Sequence, residues 1–225
     1  MPCDPIYLLF VGPFLLLGMI AQVWVKGAFS KGQKVDTPIT GAQAARQILD
    51  QNGLYDVPIE MIAGELTDHY DPSKKVLRLS EAVHNGQNAS AVGVAAHEAG
   101  HAIQDATRYK LLVIRNLAVP TASLGSNIGL ALFVAGLAAQ LSWLIIAGVV
   151  LFSCVVFFQL VNLPVEFNAS SRAKTQLANM GIFSDEAQRA VRTTLYAAAM
   201  TYVAATLQAV MTLFYLLARS GGGRD

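Results

Sequence analysis

Charged residues are absent from three long stretches of this chain. Between Asp4 and Lys26 stand 21 uncharged residues, between Arg115 and Glu166 stand 50, and between Arg192 and Arg219 stand 26. One helical crossing of a bilayer core takes roughly 20 apolar residues. The first and third stretches therefore fit one helix each, and the middle stretch fits two helices and a turn. The pattern predicts transmembrane helices over 6–25, 117–138, 142–161 and 195–217. Fifty residues without a charge argue against long buried helices of a soluble protein. The first segment has no basic residue ahead of its apolar run and no small-x-small cleavage site, so it reads as a helix rather than a signal peptide.

Between the apolar stretches the periodicity changes. "KGAFSKGQKVDTP" reads as a solvated linker. "TPITGAQAARQILDQNG" predicts a short helix with Thr40 as N-cap, Gly53 as its stop, and an apolar face of Ala44, Ala45, Ile48 and Leu49. "VPIEMIAGELTDHYDPSKKVLRLS" alternates in short runs broken by Pro and Gly. It predicts strands near 57–62, 66–70 and 75–79, with a turn at Asp71-Pro72-Ser73. Ser80 and Ser90 are the expected N-caps of two further helices, the second running from about 90 to 107. The "GGG" before the C-terminus reads as a disordered end.

Composition agrees with a membrane protein: 54% of residues are hydrophobic and only 14% charged. Of the 16 Lys and Arg, ten lie in 26–115 and four in 172–192. Four crossings put these two segments on one side, and the positive-inside rule makes that side cytoplasmic, with both termini outside. A net charge of +1, with basic residues following topology, offers nothing to nucleic acid. No predicted membrane helix has an ionisable residue at its centre, which speaks against a channel or transporter. Cys3 and Cys154 form no Cys-x-x-Cys, so no disulfide framework or thiolate metal site is implied.

The chemistry is concentrated in "VAAHEAGHAIQDA", residues 94–106. Residues four apart on a helix share a face, so His97 and His101 can direct two imidazoles at one zinc ion. Glu98, a step around, is placed to act on a water at that ion as general base. Ala95, Ala96, Ala99 and Ala102 keep the helix thin enough to be packed on all sides, and Gly100 clears room for another backbone or a substrate. A catalytic zinc needs a third protein ligand and an open position. The remaining histidines, His69 and His84, compete for that role with Glu166, the first charge after the 50-residue gap. His69, Arg172, Asn168 and Tyr70 are candidate donors to a reaction oxyanion. The strand at 75–79 is expected to offer its edge to an extended substrate.

"TGAQAARQILDQNGL", "LTDHYDPSKKVLRLS", "VAAHEAGHAIQDA" and "LPVEFNASSRA" carry a resemblance to the YugP-like neutral zinc metallopeptidases, small bacterial membrane proteins, over nearly the whole chain. More distantly the chain resembles the membrane gluzincin peptidases of heat-shock and prenyl-protein processing. Those place a membrane hairpin between H-E-x-x-H and a glutamate ligand in a Glu-x-x-Ala-Asp pattern. The resemblance implies His97, His101 and Glu166 as zinc ligands and Glu98 as the base. Ala169 matches that pattern, but Ser170 stands where the distant relatives have Asp, and Asn168 where the closer family suggests an acid. An Asp at 170 could orient a ligand histidine, and Ser170 can do so only more weakly.

The expected fold is a mainly α integral membrane protein: four transmembrane helices with a small zincin-like α+β cytoplasmic domain. The expected divisions are a first transmembrane helix (1–25), a cytoplasmic part with the H-E-x-x-H helix (26–116), a transmembrane hairpin (117–161), a cytoplasmic segment with the third ligand (162–194), and a last helix and tail (195–225). The expected function is zinc-dependent endopeptidase action on membrane-associated proteins at the cytoplasmic face of the bacterial inner membrane, in membrane protein quality control. Expected partners are the lipid bilayer, a protein or peptide substrate and a membrane protein. The competing readings are a zinc-holding, non-catalytic scaffold or regulator, left open by Asn168 and Ser170, and a lipid or small-molecule hydrolase.

Overall fold

The computed structural model describes residues 4–221; Cys3 and the tail beyond Gly221 lie outside the described residues. The elements run α1 (Pro5–Gly32), α2 (Gly41–Gln51), β1 (Ile59–Ile62), β2 (His69–Asp71), β3 (Val76–Ser80), α3 (Glu81–His84), α4 (Ala89–Ala106), α5 (Lys110–Leu124), a π-helical turn (Gly125–Gly129), α6 (Leu130–Ala139), α7 (Ser142–Met180) and α8 (Asp185–Gly221). Among the described residues, four helical stretches are long and apolar enough to cross a membrane: Pro5–Gly32, Lys110–Ala139, Ser142–Met180 and Asp185–Gly221. Between 11% and 33% of each stretch's most apolar window is buried within the protein. Surfaces this apolar and this bare need lipid rather than water around them. All four helices outrun the lengths expected from the uncharged stretches. Residues 26–32 continue α1 instead of forming a linker, Glu166 sits inside α7, and α8 begins at Asp185.

The chain forms two compact units. The first gathers the residues up to Ala21, Val113–Pro164 and those from Thr201 onward. Its core is built on Val11, Phe133, Phe152, Val156, Ala209, Tyr215 and Leu216. Glycines let its backbones meet: a Cβ on Gly129 would lie 3.1 Å from Phe152 N, and one on Gly148 would lie 2.7 Å from Phe133 N. Gly125 and Gly129, spaced for close helix packing, thus spend that capacity on α7 of the same chain. Tyr215 packs edge-on against Tyr7 at 5.1 Å and donates to Asp4 Oδ2 at 2.8 Å.

The second unit comprises Gln22–Leu112 and Val165–Met200. Its sheet has the order β1-β3-β2, with β1 parallel and β2 antiparallel to β3. The strand expected to present an edge is therefore the central one: β3 is paired on both sides, and the edges belong to β1 and β2. Ile48, Leu49, Leu77, Leu79, Val92, Ala95, Ala99 and Leu177 are among the buried residues of this unit's core. Thr40 caps α2 in a reciprocal box with Gln43, whose side chain accepts from Thr40 N at 2.9 Å. Two expected caps are otherwise employed. Asn88, not Ser90, caps α4 by accepting from Ala91 N at 3.0 Å, while the Ser90 hydroxyl donates to Phe29 O at 2.8 Å. Ser80 makes no side-chain cap and donates instead to Asp68. Gly100 is where α4 meets α7, for a Cβ there would fall 2.7 Å from Ala169 O. That close crossing sets the two helix faces that carry the functional side chains against each other.

Candidate metal centre

His97, His101 and Glu166 come together with one ligand atom each within 4.8 Å of the others, the one such group among the described residues. His97 Nε2 lies 3.2 Å and His101 Nε2 3.7 Å from Glu166 Oε2. A tetrahedral ion with arms of 2.0–2.1 Å separates its ligands by about 3.3–3.4 Å, so the Glu166 oxygen stands close to zinc spacing from both imidazole nitrogens. Two imidazoles and a carboxylate are also a donor set that catalytic zinc uses. The imidazole rings are nearly perpendicular, 4.8 Å between centroids.

Each histidine uses its other ring nitrogen to hold the ring in place. His97 Nδ1 is 3.1 Å from Ser170 Oγ, and His101 Nδ1 is 2.9 Å from Gln104 Oε1. Gln104 is wholly buried and donates from Nε2 to Val165 O at 2.8 Å and Asn168 Oδ1 at 3.0 Å. Arg172 Nε donates to the same Asn168 oxygen at 2.8 Å. Such partners fix ligand tautomers and orientations and hold a metal site in shape. Gln104 went unnoticed in the sequence. Its one signal is a polar residue three positions after His101, on the same side of the helix.

Glu98 lies beside the cluster and accepts from the backbone N–H of Tyr70, on edge strand β2, at 3.0 Å. Burial pushes its carboxyl above the ordinary carboxylate range, and the neighbouring histidines only partly offset this. Burial opposes the charged form of His101, but hydrogen bonding to Glu166 and the Glu98 and Glu166 charges outweigh it, raising the imidazole above its usual value. His69 and His84 are not members of the metal-ligand group. His69 is exposed with Nδ1 2.7 Å from Thr67 O, and His84 pairs with Asn85. The Tyr70 hydroxyl donates to Asp105 at 2.9 Å.

Membrane-crossing helices together with a His-His-carboxylate cluster define a membrane protein equipped to hold a transition metal. The chain belongs to the family described as "Putative neutral zinc metallopeptidase", which it matches over residues 7–221. It is 46% identical over 211 residues to the "Putative membrane protease YugP" of Bacillus subtilis (strain 168), covering 93% of this chain and 94% of that protein. No solved structure matches. Zinc is thus the metal of the family, and His97, His101 and Glu166 are placed to bind it.

Proposed function

We propose that this chain is a membrane-integrated zinc endopeptidase that cleaves membrane-associated proteins at the cytoplasmic surface of the bacterial inner membrane, in the service of membrane protein quality control. The observation that carries the reading is Glu98, held by the Tyr70 amide beside the convergence of His97, His101 and Glu166. His97, His101 and Glu166 would hold the metal, which when bound supplies Lewis acidity toward water and the scissile carbonyl. Glu98 takes the proton of the attacking water and returns it to the leaving amine. Burial raises its proton affinity, in the direction that favours uptake of a proton from water. Because β2 borders Glu98, an extended substrate would lie along that strand rather than along β3.

The four crossings, the clustering of basic residues in 26–115 and 172–192, and the name of the Bacillus relative support the location. On this reading 26–116 and 162–194 are cytoplasmic, the hairpin 117–161 and the flanking helices lie in the bilayer, and both termini are outside. The non-catalytic alternative rested on Asn168 and Ser170. Ser170 bonds His97 and Asn168 bonds Gln104, which supports the catalytic reading over the scaffold.

The test compares membranes containing the wild-type chain with membranes containing Glu98→Gln at equal zinc content. Mass spectrometry of new peptide termini should find cleavage products in the first, reduced by about 10²-fold or more in the second. Equal termini in both would remove Glu98 from the mechanism. No termini in either would favour the scaffold.

A further inference from the structure

We infer that Gln104 is a positioning residue of the metal centre: it locks His101 into a single tautomer and ties that ring to the turn of α7 that supplies Glu166. The inference rests on the reading of His101 as a metal ligand. It follows from which groups around Gln104 can only donate and which can only accept.

The Val165 carbonyl can only accept, so the Gln104 atom 2.8 Å from it must be the amide nitrogen. Asn168 gives the same answer independently. Arg172 Nε–H can only donate, which makes the Asn168 atom 2.8 Å away an oxygen, and that oxygen takes the second hydrogen of Gln104 Nε2 at 3.0 Å. With both hydrogens committed, Gln104 turns its oxygen to His101. An amide oxygen cannot donate, so in the neutral ring Nδ1 carries the hydrogen and the Nε2 lone pair faces Glu166 Oε2, 3.7 Å away. Complete burial of Gln104 removes water as a substitute partner. Reversing the amide would set its oxygen against Val165 O and leave buried groups unpaired, which is costly.

His97 is held differently. Its Nδ1 faces the Ser170 hydroxyl, which can donate or accept and so permits either tautomer. An Asp at 170 would only accept. In this chain the fixed tautomer therefore resides at His101, and α7 supplies it through Val165 and Asn168. Asn168 serves with its oxygen alone, which an aspartate would equally provide.

The experiment uses the full-length chain in detergent micelles with two readouts. One is zinc affinity by competition with a chromogenic chelator. The other is the tautomer of ¹⁵N-labelled histidine in metal-free protein at alkaline pH, a readout independent of peptide hydrolysis. The wild type should show His101 with hydrogen on Nδ1. Gln104→Leu should lose that preference and bind zinc about 10- to 100-fold more weakly. Ser170→Ala should cost less than Gln104→Leu. Asn168→Ala, at a partly exposed position, gives a second route should Gln104→Leu not fold. It should loosen the tautomer and weaken zinc, and Asn168→Asp should restore both. Unchanged tautomer populations in both Gln104→Leu and Asn168→Ala would overturn the inference, even with weaker zinc, because the amide would then be acting only as packing. A wild-type His101 with hydrogen on Nε2 would overturn it outright.

Discussion

At the scale of single residues, the centre trades protons against metal. In the metal-free protein His101 holds its proton more tightly than an unfolded chain would, with Glu166 and Glu98 beside it. Its stabilising contribution is complete below the unfolded value of about 6.5 and is lost as pH rises through the higher folded value. Glu98, also raised, acts in the same direction. With a chelator present, thermal melts should therefore show a more stable protein at mildly acid than at alkaline pH. Zinc saturation should reverse the trend, since binding needs neutral imidazoles and ionised carboxylates. A metal-free melt that rises steadily with pH would contradict this account. Glu166→Ala should remove a ligand and cut zinc affinity well beyond the roughly 10- to 100-fold expected from losing an orienting partner. Equilibrium dialysis would measure it. The H-E-x-x-H residues could be read from their spacing alone, because one helical turn brings them together. Gln104 could not, since its role depends on Val165 and Asn168, about sixty positions away in the chain.

At the scale of elements, the crossing of α4 with α7 decides whether the cluster forms. Gly100→Val would drive a branched side chain into the backbone at Ala169. The expected cost is about 1–3 kcal/mol of stability together with weaker zinc binding, as the faces are pushed apart. Calorimetry and chelator competition would read the two effects, and wild-type values in both would mean that the crossing tolerates bulk. Thr40→Ala, remote from the cluster, should cost about 1 kcal/mol through its cap and leave zinc affinity unchanged. Local pattern located the elements well. Thr40 and Gly53 bracket α2, and the short alternating runs became β1, β2 and β3 near the expected places. The order of strands stayed hidden, because the parallel pairing of Ile59 with Leu77 is a contact between segments that no periodicity encodes. The α4 cap was misplaced for a related reason. Ser90 and Asn88 are both able caps, and the hydroxyl of Ser90 is claimed by Phe29, on another helix.

For the molecule as a whole, the predicted topology makes one demand that labelling can check. With Cys3 and Cys154 replaced by Ser, single cysteines at positions 31 and 189 should react from the cytoplasmic side, and one at 140 from the opposite side. Reaction of 31 and 189 from opposite sides would mean an odd number of crossings between them. The uncharged stretches made the crossings legible, because a bilayer tolerates so few charges. They did not reveal where the helices end. Lys26, Lys31, Lys174 and Glu166 all lie within continuous helix, and backbone hydrogen bonding does not stop where the apolar run does.

The two halves of the centre also differ in when they are made. His97, Glu98 and His101 precede the long uncharged stretch, and Glu166 follows it. A ribosome adding 5–20 residues each second takes roughly 3–13 s to travel from His101 to Glu166. Throughout that interval the nascent chain has two imidazoles and no third ligand. The group that the fold brings together is thus incomplete until the uncharged stretch between its two halves has been synthesised.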